Sequence, residues 1–116
     1  LFFDKLSRDA NDWETSVQVI NYVEGAQMMS EGLPFNGVTF DDKGAKPVIE
    51  LLIGSETSNH QTHNITDPVR VAFESTGKGP SGTLDIEDAS GTKTLVSLMR
   101  PTPALAVYSS SEMVAF

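Results

Sequence analysis

Between residues 63 and 98, apolar and polar side chains alternate in short runs broken by glycine-rich segments. Val69, Val71 and Phe73 alternate with Arg70, Ala72 and Glu74, and Leu84 and Ile86 alternate with Asp85 and Glu87. Successive side chains of an extended chain point to opposite faces, so each run predicts a strand with one buried face. Lys78-Gly79-Pro80-Ser81-Gly82 separates the two runs. Asp88-Ala89-Ser90-Gly91 then turns the chain into a further strand over 92–99, where Leu95, Val96 and Leu98 supply the apolar positions. The pattern is that of a β-meander, with hairpin signals and no reactive constellation.

At the start of the chain, Leu1, Phe2, Phe3 and Leu6 are interleaved with Asp4, Lys5, Ser7 and Arg8. This spacing predicts a short amphipathic helix that lays Phe3 and Leu6 on the core, ended by the turn-forming Asn11-Asp12. Residues 13–21, WETSVQVIN, are rich in β-branched side chains and predict the first strand, with Val17 and Val19 on one face. Asn36-Gly37 and Asp42-Lys43-Gly44 read as turns, and Gly25 and Gly32 as a bulge, a tight bend or a loop. Across the turn at 41–46, residues 38–40 and 48–53 predict paired strands. The second is apolar on both faces, which places it centrally, with Pro47 at its start.

Residues 55–67 show no period and many polar side chains, and are expected to form a loop. Pro101 and Pro103 stop the last strand. Residues 1–103 are therefore expected to form a single β-rich domain, and 104–116 a docked segment or mobile tail. The fold class expected is α+β, mainly β: a short N-terminal helix followed by a bent antiparallel meander of five or six strands.

A chain of 116 residues has the size of one domain. Hydrophobic residues at 39% and charged residues at 21% give a globular balance, and no apolar run approaches the roughly 18 residues that span a bilayer. Sixteen acidic against eight basic side chains give a formal charge of −8. That charge repels phosphate backbones and anionic headgroups, and the basic residues are scattered rather than striped. Neither nucleic acid nor membrane is an expected partner. The absence of cysteine excludes disulfides, thiolate metal sites and cysteine nucleophiles. LFFDKLSRD carries no charged n-region ahead of an apolar h-region, so no signal peptide is visible and the cytoplasm is the default location.

The segments DKLSRDANDWETSVQVI, LPFNGVTFDDKG, HNITDPVRVAFE and LDIEDASGTKTLVSL occur in one order. That order resembles a small bacterial family catalogued as a domain of unknown function, whose members join a short aromatic-rich N-terminal helix to a β-meander. The meander of that family ends in a turn of an acidic residue, Asp, a small residue and Gly-Thr; here Ala89-Ser90 puts two small residues before Gly91-Thr92. The resemblance covers most of residues 2–101, omits 55–62 and 104–116, and rests on turn and core signatures. It implies the fold and no activity or site residues. The helix-then-meander outline also resembles, at the level of fold alone, the small Sm-like barrels that oligomerise edge to edge.

Each candidate site competes with a structural role. His60 and His63, with Glu56 and Asp67 nearby, could supply two imidazoles and carboxylates to Zn²⁺, or could be solvated loop histidines. They are the metal-ligand candidates, and no other cofactor is expected. A Ser/His/Asp set would have to use one of them, and no Gly-x-Ser-x-Gly elbow is present. Asp85, Glu87 and Asp88 could hold Ca²⁺ or act as acid and base, but they alternate with apolar residues as the solvent face and turn of a hairpin do.

Gly77, Gly79 and Gly82 around Lys78 lack the Gly-Lys-Ser/Thr helix start of a phosphate loop. Asn64-Ile65-Thr66 is a formal glycosylation sequon and fits a polar turn. Trp13, Phe35, Phe40 and Phe73 are expected in the core. Val23, Met28 and Met29 offer a possible apolar patch.

Two functional classes follow. The first is a non-catalytic protein-interaction or assembly module that binds protein or self-associates through sheet edges, with a homo-oligomer as one form. The alternative is a small-molecule or metal-dependent enzyme with a site near His60 and His63.

Overall fold

A computed structural model describes residues 2–55, 58–76 and 81–100. Helix α1 (Phe2–Asp9) is followed by seven strands: β1 (Glu14–Asn21), β2 (Gly25–Asp41), β3 (Val48–Ser55), β4 (Ser58–Thr66), β5 (Pro68–Ser75), β6 (Gly82–Asp88) and β7 (Lys93–Met99). All pairings are antiparallel, in one open sheet of order β4-β3-β2-β1-β7-β6-β5. The fold is α+β and mainly β, as expected. Barrel closure is not shown: β4 and β5 are the two edges, joined in sequence by Asp67 in the left-handed region at φ 58°.

One long bent strand gives the sheet its shape. Residues 25–34 of β2 pair with β1, and residues 35–41 pair with β3. Each bulge leaves an extra residue in β2: Met29 and Gly32 opposite β1, and Asn36 opposite β3. Bulges bend and twist the strand that carries them. Gly32 has φ +82°, a conformation in which a side chain is strained. The expected turn at Asn36-Gly37 is corrected accordingly: the pair specifies a bulge inside a continuous strand. Gly25 at φ +73° closes the β1–β2 hairpin, and the Asn21 side-chain oxygen accepts from the N–H groups of Val23 and Glu24 at 3.0 and 2.6 Å.

The bend lets both halves of the sheet feed one core. Val17, Leu84, Ile86, Val96 and Leu98 come from β1, β6 and β7; Ile49, Leu51, Ile53 and Ile65 come from β3 and β4. Phe35, Val38, Leu6 and Ala10 complete it from β2, α1 and the turn after α1. Helix α1 covers the flank of β2 that β1 leaves unpaired. The Ser7 Oγ accepts from the Val38 N–H at 3.0 Å and donates to the Val38 carbonyl at 3.1 Å. Just beyond, the Phe35 N–H donates to the Trp13 carbonyl at 2.6 Å, and the Asp12 N–H donates to the Phe35 carbonyl at 2.8 Å. Trp13 is half-buried against the core, with the Arg100 guanidinium 5.7 Å from its ring centre.

The expected loop is corrected as well. Most of 55–67 is a strand, β4, and not a loop, which raises the strand count to seven. An edge strand needs one neighbour and tolerates polar side chains on both faces, so its pairing with β3 leaves no period of two to read. Residues 26–31, also without alternation, belong to β2 because the outer part of the β1–β2 hairpin is exposed on both faces. Residues 101–116, including the expected tail, lie outside the described residues.

Candidate functional site

The two histidines are placed by the register of β4. His63 pairs with Leu51 and Ile65 with Ile49, so Gln61, His63 and Ile65 share the face turned to the core. His63 is half-buried, with its Nε2 3.4 Å from the Gln61 side-chain oxygen. His60 lies at the irregularity where residues 59 and 60 stand opposite Gly54, and is exposed. The structure therefore leaves one imidazole in solvent and half-buries the other on the core face. Among the described residues, no group of three or more His, Cys, Asp or Glu side chains could hold a metal ion; Glu56 lies outside them.

Of the acidic candidates, Asp88 is engaged by its own turn. One Asp88 carboxylate oxygen, Oδ1, accepts from the N–H of Ser90 at 2.9 Å, the hydroxyl of Ser90 at 2.6 Å and the N–H of Thr92 at 3.1 Å, and so builds the β6–β7 turn. Asp85 faces away from the core and pairs with Arg70 at 3.5 Å. Asn64 lies on the outer face of β4. Of the glycine-rich segment, residues 77–80 lie outside the described residues. Gly82 opens β6, and a Cβ there would meet the Glu74 carbonyl oxygen at 2.3 Å.

The feature that sequence reasoning missed is a groove of about 640 Å³ between α1 and the β5 edge. Phe2 and Phe3 form one wall, Val69 and Val71 the other, and Phe40 and Ile49 lie between them. The Phe2 ring lies 5.7 Å from that of Phe73 and 6.0 Å from that of Phe3, both tilted, which ties the helix to β5. Val71 and Phe73 sit opposite Ile86 and Leu84, whose side chains are fully buried, so β5 turns its apolar face to the core side. As an edge strand it is only partly covered there by the described residues: Val69 is 62% and Val71 43% exposed.

Phe40, expected in the core with Trp13, Phe35 and Phe73, is 53% exposed in the same groove. Phe35 is fully buried, whereas Trp13 and Phe73 are partly buried against the core. The signal for the exposed face lay in the strand order. Alternation shows that a strand has an apolar face and cannot show whether anything covers it.

A second exposed apolar surface lies on the β1–β2 hairpin. Tyr22 and Val23 stand at its tip, almost fully exposed, and Met28 and Met29 are about half exposed. The expected patch of Val23, Met28 and Met29 is thus on the surface. Among the described residues, no helix is long and apolar enough to cross a membrane.

A family model described as a family of unknown function, DUF5335, matches residues 1–107. The match takes in the segments that carried the resemblance, together with residues 55–62 and 104–107, which lay beyond it. No curated protein and no solved structure matches the chain.

Proposed function

We propose that this chain, which belongs to the DUF5335 family of unknown function, is a non-catalytic protein-interaction module whose docking surface is the β5 edge with the groove beside it. The observation that carries this reading is the exposure of Phe2, Phe40, Val69 and Val71 around one groove. Contiguous apolar surface of this kind costs solubility and is characteristic of interaction sites. The adjoining strand edge, beside which no other described strand lies, presents backbone donors and acceptors, so an extended partner segment gains main-chain hydrogen bonds together with side-chain contacts. Formal charge −8 turns the partner surface away from anions.

A photo-crosslinking residue placed at Val69 in the full chain, in cells that express it, tests the reading. A covalent protein adduct, identified by mass spectrometry and absent when the same residue replaces Thr39 on another part of the surface, is expected. No adduct from Val69 counts decisively against it.

A further inference from the structure

We propose that the occupant of the β5 edge is the β5 strand of a second copy of this chain, paired antiparallel about a two-fold axis at Ala72; this rests on the docking reading above. A symmetric contact requires a surface complementary to itself. In β5, Arg70 and Glu74 lie at equal distances on either side of Ala72. Antiparallel pairing centred on Ala72 sets Arg70 opposite the second copy's Glu74, and the symmetry repeats the contact. It also sets Val71 opposite the second copy's Phe73, twice, on the face that carries the groove. Opposite charges and aromatic with β-branched side chains are the cross-strand pairs that stabilise antiparallel sheets.

Neighbouring registers do not do this. Centring on Val71 leaves Arg70 opposite Ala72, and centring on Phe73 leaves Glu74 opposite Ala72 and Arg70 opposite Thr76. The usable edge is also bounded correctly. Pro68 has no N–H to give, and the bulge between Pro68 and Arg70 leaves Val69 out of the ladder, so regular pairing begins at Arg70.

Charge decides between a second copy and the chain's own C-terminal residues. Residues 101–116 contain one charged side chain, Glu112, and no cation, so they offer nothing to Glu74, whereas a second copy answers both Arg70 and Glu74. The net charge of each copy opposes association, and the two Arg–Glu contacts offset that repulsion where the strands meet. In the single chain Arg70 already contacts Asp85 at 3.5 Å while remaining largely exposed, so the guanidinium is held on the outer face where the second copy's Glu74 would arrive.

The chain has no cysteine, which makes the register directly testable. In an antiparallel pair only the residue on the axis faces itself at a Cα separation of about 4.5–5.5 Å, within disulfide reach. Ala72→Cys in the full chain is expected to oxidise to a covalent dimer. Glu74→Cys, about 13 Å from its symmetry mate by strand rise, and Thr62→Cys on the other sheet edge are expected to form no covalent dimer. By sedimentation, Arg70→Glu or Glu74→Arg alone is expected to weaken the dimer about tenfold, and the two together to recover most of that loss, the Arg70–Asp85 contact within each chain staying broken.

A monomeric parent chain at all concentrations, or equal crosslinking from Ala72→Cys and Glu74→Cys, overturns the pairing. If Val69 then crosslinks to a different protein, the self-pairing falls and the docking surface stands. If Val69 crosslinks only to residues 101–116 of its own chain, both fall.

Discussion

Ser7 supplies hydrogen bonds to both backbone groups of Val38, a residue of a strand to which it does not belong. Val38 is buried, so removing the hydroxyl leaves its N–H and carbonyl without that partner, and a buried unsatisfied group costs about 1–3 kcal/mol. Ser7→Ala is expected to lower unfolding free energy by about that amount in urea titration; no change in midpoint would show that water replaces the hydroxyl. Gly54 makes a harder demand. It has φ +93°, and a Cβ there would stand 2.1 Å from the Asn59 carbonyl oxygen of the paired strand. Gly54→Ala combines strained backbone with a clash against main chain and is expected to cost about 3 kcal/mol or more, read as a fall in melting temperature. On the surface of α1, Asp9 lies below the usual carboxylate range, first because the Lys5 ammonium donates a hydrogen bond to it and then because of the positive charges of Lys5 and Arg8. A depressed folded-state value means that the stabilisation is present above the ordinary carboxylate range and is lost as pH falls through the folded value. Both side chains are exposed, so the contribution to folding is small. Lys5→Ala is expected to return the Asp9 titration midpoint towards its ordinary value in an NMR titration.

At the scale of elements, legibility followed whether one face of a strand meets the core and the other meets water. Leu84 and Ile86 in β6, and Val96 and Leu98 in β7, alternate cleanly with half-exposed partners, and the strands were readable for that reason. The helix was readable from Phe3 and Leu6. Strand β4 was not, because SNHQTHNIT offers Ile65 as the single large apolar side chain and draws its place from backbone pairing with β3. The outer part of β2 was hidden by exposure on both faces, and Asn36-Gly37 misled because a bulge uses the same residues as a hairpin turn. The groove was illegible for a different reason. Val71 and Val96 occupy equivalent places in alternating runs, yet Val96 is fully buried between Val17 and Leu84, whereas Val71 is 43% exposed on the edge. The difference has an energetic consequence. Val96→Ala is expected to cost about 2–3 kcal/mol and Val71→Ala under about 1 kcal/mol in the monomer, by denaturant unfolding at low concentration. Equal costs would mean that β5 is covered in the single chain, and would remove the basis for a docking surface there.

At the scale of the whole molecule, β1 is the first strand and β7 the last, and their pairing over Glu14–Met99 to Ile20–Lys93 joins distant parts of the chain in the middle of the sheet. Every other pairing connects sequence neighbours, so the β1–β7 contact carries the largest loop-closure cost and seals the fold. The central strands can then expose their amides only by global unfolding, while the two edge strands open locally at lower free energy. Slow amide exchange is expected in β1, β6 and β7, and faster exchange in β4 and β5 of a dilute sample. The edges differ in what they present: β4 carries polar side chains over most of its length, and β5 carries Val69, Val71 and Phe73 beside an apolar groove. Raising the concentration should therefore protect β5 amides and leave β4 unchanged, because association covers one edge and not the other. Protection that rises equally on both edges would point to strand-edge aggregation without a specific surface. Protection of β5 that is already complete at the lowest concentration and insensitive to dilution would instead place a segment of the same chain on the edge. The dilution series thus separates a built contact between copies from internal cover.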